Sequence, residues 1–180
     1  MSDDKTVSVR ALYDAPTIAA RVGELAREIA AAQPKDLLAI AVLKGSFVFA
    51  ADLLRALHAA ELHPHVEFLT LSSYRKSTVS AGAVTILRDV ESGVRGRDVL
   101  LIDDILESGR TLAYAKDLMA ARGARRVLTC VLLEKPGKRA VRIDAEFVGF
   151  RCPDVFVVGY GMDMAHAYRE LPFIGTVEVA

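Results

Sequence analysis

A chain of 180 residues has the length of one domain, and more than half of its side chains are apolar, enough to bury a substantial core. Basic and acidic residues both number 23, so no net field draws nucleic acid or an anionic membrane, and only local patches could do so. No apolar run approaches the ~20 residues that a bilayer-spanning helix needs, and the two cysteines, Cys130 and Cys152, do not sit as a close pair.

The polar start Met1-Ser2-Asp3-Asp4-Lys5 lacks the apolar stretch of a secretory signal, so a cytoplasmic protein is expected. Residues 7–12 predict a short strand. Asp14 is placed as an N-cap, with Pro16 in the first turn, for a helix running to about residue 32. Ile18, Val22, Leu25 and Ile29 recur at helical spacing and give that helix one core-facing stripe. Residues 37–43 form an unbroken apolar run, the pattern of a strand buried on both faces. Lys44-Gly45-Ser46 follows, and residues 47–60 predict a helix. Read locally, Lys44 is a solvated loop lysine. Its place beyond a buried strand is also where open α/β sheets bind ligands.

Residues 66–71 predict a third strand and 83–87 a fourth. The polar stretch between them is too long for a tight turn, which leaves two readings, a plain hairpin connection or a lid over a site. A charged turn over 88–98 then leads to Val99-Leu100-Leu101-Ile102, a second doubly buried strand, with Asp103 and Asp104 where it should end. Glu107-Ser108-Gly109-Arg110-Thr111 opens the next helix, and a helix start offers free N–H groups and the positive end of a dipole to a phosphate. Ser108 and Thr111 add hydroxyl donors, and Gly109 lets the backbone approach a ligand.

Paired carboxylates would repel a phosphate but suit vicinal hydroxyls or a hydrated divalent cation. A ribose 5-phosphate unit satisfies both halves of the stretch. It is neither a Walker A loop nor a dinucleotide fingerprint, since the required glycine spacings are missing. The helix runs to about residue 122, with Leu112, Leu118 and Met119 inward and Gly123 past its end. Residues 127–133 predict the next strand. Three strand–helix units in succession argue for an α/β fold with a parallel sheet. The tail, from residue 147 to 163, consists of short apolar pieces punctuated by Gly and Pro and reads as a small subdomain over the sheet's C-terminal edge. Cys130 reads as a buried core residue, with a reactive thiol as the alternative. The four histidines lack zinc-type spacing and read as structural or solvated.

The stretch from Asp103 to Thr111 closely resembles the phosphoribosyl diphosphate motif of type I phosphoribosyltransferases. With Leu43-Lys44-Gly45, Ser73-Tyr74, Glu134-Lys135-Pro136-x-x-Arg139, Pro153-Asp154-x-Phe156-Val157-Val158-Gly159-Tyr160-Gly161-x-Asp163 and Tyr168-Arg169-x-Leu171-Pro172-Phe173-Ile174-Gly175, the resemblance covers most of the chain. It narrows to the hypoxanthine phosphoribosyltransferases. It implies the type I fold: a parallel-sheet core flanked by helices, in one domain over 1–180, with a small hood built by the N-terminal segment and about 135–180. It implies Asp103 and Asp104 at the ribose hydroxyls and a Mg2+ ion, residues 108–112 (Ser108, Gly109, Arg110 and Thr111 among them) at the 5-phosphate, and Lys44, Gly45 and Arg169 at pyrophosphate, with a cis Leu43–Lys44 peptide. Lys135 donates to the purine 6-oxygen, Phe156 stacks on the base, the main chain at Val157 meets its Watson–Crick edge, and Asp163 serves a second metal and the exocyclic edge. Ser73 and Tyr74 belong to the lid.

The implied activity is transfer of the phosphoribosyl group from phosphoribosyl diphosphate to N9 of a 6-oxopurine, in a homodimer or homotetramer with neither membrane nor nucleic acid as partner. Lys135 selects an oxo group because an ammonium only donates, and adenine would meet it donor against donor. The family usually carries Asp where this chain has Glu107, the implied catalytic base at N7. The role is retained on a longer stem, or Glu107 points away and solvent takes the proton. Ser46 stands where many relatives have a second glycine. A xanthine–guanine preference and a nucleotide-sensing, RNA-binding regulator on the same fold are the rival readings.

Overall fold

The computed structural model describes residues 7–73 and 84–179. In chain order its elements are β1 (Val7–Tyr13), α1 (Ala15–Ala31), β2 (Leu38–Leu43), α2 (Phe47–Ala59), β3 (His65–Ser73), β4 (Val84–Arg88), β5 (Asp98–Leu106), α3 (Arg110–Ala121), β6 (Arg126–Glu134), β7 (Phe147–Arg151), β8 (Val157–Val158) and β9 (Ile174–Val179). Six strands form the large sheet in the order β4-β3-β2-β5-β6-β7. All its pairings are parallel except β3 with β4, at one edge. A small antiparallel sheet has the order β1-β9-β8. This is a mostly parallel α/β sheet with helices on both faces and a small second sheet, the architecture expected from the sequence.

Strand periodicity divides the core in two. Ala39, Ala41, Leu100 and Ile102 pack with residues of α1 and α2, while Leu38, Ile40, Val99 and Leu101 pack with Leu112, Ala115 and Met119 of α3. Both faces are covered, so no polar residue interrupts the runs. α1 starts where Asp14 accepts a hydrogen bond from Thr17 N at 2.9 Å, with Pro16 in the first turn, and it buries the expected stripe plus Ala26. Arg21, on the same helix, donates to Val148 O at 2.8 Å and Gly149 O at 3.0 Å on β7. It is itself held by Glu24 and Glu28. The open edge of the large sheet is thereby capped by a side chain. Cys130 is fully buried and its thiol is pushed up by that burial, as befits a core residue.

Two expectations change. The tail from residue 147 does not pass straight to the small subdomain, because Phe147–Arg151 extends the large sheet beside β6, with Cys130 opposite Phe147 and Val131 opposite Val148. Gly149 looks like punctuation but marks a close approach: a Cβ there would overlap the Leu132 carbonyl. The central strand also continues past its carboxylates to Leu106, held by the matching length of β6 through Ile105–Leu133 and Leu106–Glu134. Of the expected lid, Ser73 ends β3, and Tyr74 lies outside the described residues.

Candidate active site

The site residues gather at the C-terminal ends of β2, β5 and β6 and on the loops of the small sheet. Asp103 is buried and Asp104 half-buried. Asp104 N donates to Asp103 Oδ1 at 3.0 Å, and Ile105 N donates to Asp104 Oδ1 at 2.8 Å. Burial pushes the Asp103 carboxyl well above the usual carboxylate range, and the neighbouring Asp104 charge adds to it. Asp104 is also pushed up by burial, although hydrogen bonds and the Arg169 charge pull against that. Two adjacent oxygen donors of this kind suit a hard divalent cation that keeps several waters.

The turn after β5 encloses a cavity of about 190 Å3 lined by Asp103, Glu107, Ser108, Gly109, Thr111 and Leu112, among others. Gly109 caps α3 in the left-handed region at φ 80°. A Cβ there would press on Ile143 Cγ2 at 2.7 Å, so the missing side chain serves packing and turn geometry more than ligand approach. Ser108 Oγ accepts from Arg110 N at 3.4 Å, and Ser108 O receives Ala140 N at 2.8 Å. The exposed Arg110 side chain lies outside that cavity, on a groove with Tyr114 and Asp117.

Lys135 follows β6 and is 6% exposed. Its Nζ donates to Val155 O at 2.7 Å and lies 3.9 Å from Glu107 Oε1. Two further cations hold this corner, Lys138, which the sequence reading passes over, and Arg139, which it names in the matched block without a role. Lys138 reaches Asp154 at 2.7 Å and Glu107 at 4.0 Å. Arg139 donates to the carbonyls of Leu106 at 3.0 Å and Glu107 at 2.9 Å while pairing with Glu134 at 2.9 Å. The signal for both was a cluster of three cations in five residues.

Lys44 is exposed after a cis Leu43–Lys44 peptide. Gly45 has no room for a side chain, because a Cβ would overlap the Asp104 carboxylate. On the other side, Gly161 presents its Cα to Gly45 O closely enough that a Cβ there would overlap the carbonyl. Ser46 turns its hydroxyl back to Val42 O at 2.6 Å and does not cap α2. Arg169 donates to Gly161 O at 2.6 Å and pairs with Asp163 at 2.8 Å. The other Asp163 oxygen accepts from His166 N at 2.8 Å. Asp163 does not join Asp103 and Asp104 in a metal-binding group: among the described residues no three His, Cys, Asp or Glu side chains are so placed. Phe156 leaves 58% of its surface to solvent, whereas Val157 is buried in β8.

Comparison with known proteins matches residues 8–165 to the phosphoribosyl transferase domain. The hypoxanthine phosphoribosyltransferase of Escherichia coli K12 is 39% identical over 173 residues, covering 94% of this chain and 96% of that one. The hypoxanthine-guanine phosphoribosyltransferase of Bacillus subtilis 168 is 43% identical over 172 residues, covering 95% and 94%. A crystal structure of a hypoxanthine phosphoribosyltransferase from Staphylococcus aureus superposes with a TM-score of 0.87 at 37% identity, covering 94% and 91%.

Proposed function

This chain belongs to the phosphoribosyltransferase family, among its hypoxanthine and hypoxanthine-guanine enzymes, and on that premise we propose how its residues carry the reaction. The enzyme serves purine salvage: it transfers the 5-phosphoribosyl group from phosphoribosyl diphosphate to N9 of hypoxanthine, guanine or both, giving IMP or GMP and pyrophosphate. The observation that carries the residue assignment is the buried Lys135 ammonium 3.9 Å from Glu107, whose residue lines the cavity in the turn that leads into α3.

In this reading Ser108, Gly109, Arg110 and Thr111 hold the 5-phosphate at the start of α3, where N–H groups and the helix dipole favour an anion. Asp103 and Asp104 accept from the ribose hydroxyls and carry Mg2+, whose charge, when bound, neutralises the leaving pyrophosphate. Lys44, Gly45 and Arg169 engage the pyrophosphate. Arg169 pairs with Asp163 in the structure, and were it to turn to the pyrophosphate, Asp163 would be left to hold a second metal and to meet the exocyclic edge. Phe156 covers the base and the Val157 main chain reads its Watson–Crick edge. N9 attacks the anomeric carbon as the bond to pyrophosphate breaks, and the N7 proton passes to Glu107. Lys135 donates to the 6-oxygen and so orients the purine ring. The transition state resembles an oxocarbenium ion that water would intercept, so a lid at Ser73 and Tyr74 is useful.

The site draws on both sheets, which supports reading 1–180 as one functional unit with its hood in the small sheet. Among the described residues no helix is long and apolar enough to cross a membrane, and we place the enzyme in the cytoplasm. For assembly we propose a homodimer or homotetramer. The exposed Phe47, Val66 and Phe68 support it, as does an apolar groove of about 670 Å3 between α1, α2 and the turn at 169–172. The functional test is magnesium-dependent nucleotide formation from phosphoribosyl diphosphate, with hypoxanthine, guanine, xanthine, adenine and uracil offered separately. Turnover of hypoxanthine or guanine with rejection of adenine and uracil is expected, and use of xanthine would move the preference. No turnover of any base would overturn the reading.

A further inference from the structure

Tyr160 stands between Gly159 and Gly161, and all three residues have positive φ, at 91°, 51° and 99°. A tyrosine in the left-handed region is held there against its own preference. Its N–H donates to Leu171 O at 2.8 Å, and its buried ring sends the hydroxyl across to Asp52 Oδ2 on α2. The other Asp52 oxygen pairs with Arg55, so both lone-pair sets of the carboxylate are engaged.

The two partners belong to different halves of the site. α2 carries the loop Lys44-Gly45-Ser46 at its N-terminus, and Asp52 lies within its first two turns. Tyr160 comes two residues after β8, which carries Val157. Between them, Gly45 O rests against Gly161. Two contacts, one of backbone on backbone and one hydrogen bond, therefore fix how far the loop after β2 stands from the loop after β8.

We infer that Tyr160 and Asp52 are a positioning pair that keeps the purine-binding loop in register with the pyrophosphate-binding loop. The inference rests on the assignment of those loops given above. Neither side chain touches a reacting atom. Their effect is on the relative placement of two substrates that each half-site binds alone, and a displacement of about 1 Å costs on the order of 100-fold in rate when two bound groups must meet.

The test uses the full chain with Tyr160→Phe, Asp52→Ala and Asp52→Asn, and whichever of hypoxanthine and guanine the parent converts. Calorimetry gives the affinities for the nucleotide product and for magnesium phosphoribosyl diphosphate separately. Tyr160→Phe and Asp52→Ala are expected to lower kcat by about tenfold or more while each single-ligand affinity stays within about twofold. Asp52→Asn keeps an oxygen for the tyrosine hydroxyl and should recover most of the loss. Unchanged kcat in both Tyr160→Phe and Asp52→Ala overturns the inference. So does a fall in kcat matched by equal losses of ligand affinity, or loss of folding in both variants, since the pair then merely supports the fold. A parent that converts neither base overturns the functional reading itself, which separates the two failures.

Discussion

Glu107 stands on a stem one methylene longer than the aspartate that usually occupies its place, and the structure gives that extra reach two anchors, Lys135 and Lys138. Glu107→Gln keeps the size and removes the base, and should lower kcat by about 100-fold or more. Glu107→Asp should stay within about tenfold of the parent, because the family's own residue restores the carboxylate. Full activity in Glu107→Gln, measured across pH, would assign the N7 proton to solvent. Lys135→Ala removes a charge-assisted hydrogen bond of about 1.5–3 kcal/mol. It should cut kcat/KM for the purine by roughly 10- to 100-fold while KM for phosphoribosyl diphosphate barely moves. Equal losses for both substrates in steady-state kinetics would remove Lys135 from the purine site. At this scale the sequence announces what each candidate side chain can offer a ligand, since carboxylate, ammonium and hydroxyl each name their chemistry. It could not carry the partners. Nothing in the spacing of Asp52 and Tyr160, or of Lys138 and Asp154, announces that the fold brings them together.

The elements themselves were legible from periodicity, because strands buried on both faces and helices buried along one stripe leave different apolar patterns. Where the reading failed, tertiary pairing overrode a local signal. The carboxylates of β5 looked like a strand end, yet β6 is long enough to hydrogen-bond past them. Phe147–Arg151 looked like part of a broken tail, yet β6 had a free edge to offer. The loop after β2 is the element where geometry is least forgiving. A methyl group at Gly45 would displace the Asp104 carboxylate on one side of a loop already pressed by Gly161 on the other. Gly45→Ala should therefore lower affinity for magnesium phosphoribosyl diphosphate by about 100-fold, read by calorimetry. Affinity for the free purine should change little, and retention of phosphoribosyl diphosphate binding would show that the loop yields.

Across the whole molecule, the two ends of β5 respond to pH in opposite senses. Asp98, at its start, is pushed up by burial, but the Lys35 N–H together with Arg126 and Arg125 more than offsets this and holds it low. Its stabilisation is present at neutral pH and lost as pH falls through that lowered value. Asp103 and Asp104 lie near the other end with raised values, so their ionisation opposes folding. That relief is complete below the ordinary carboxylate value of about 4 and lost as pH rises through the raised ones. Asp104→Asn should accordingly melt at a higher temperature than the parent near neutral pH with magnesium chelated, and the gap should close towards about pH 4. The same variant should lose the rise in Tm that magnesium phosphoribosyl diphosphate gives the parent. A lower Tm at neutral pH would show that the carboxylate earns more from its hydrogen bonds than burial takes away.

The small sheet adds one more consequence. Its middle strand is β9, with β1 on one side and β8 on the other, so it joins residues from opposite ends of the chain. Pairing at such separation closes a very long loop and forms slowly. The parallel pairs β2–β3 and β5–β6 of the large sheet join strands much closer in sequence. Strands β8 and β9 pair across a short stretch of chain, Val157 with Thr176 and Val158 with Gly175, so that hairpin can form early, and what waits on the long closure is its attachment to β1 at the start of the chain.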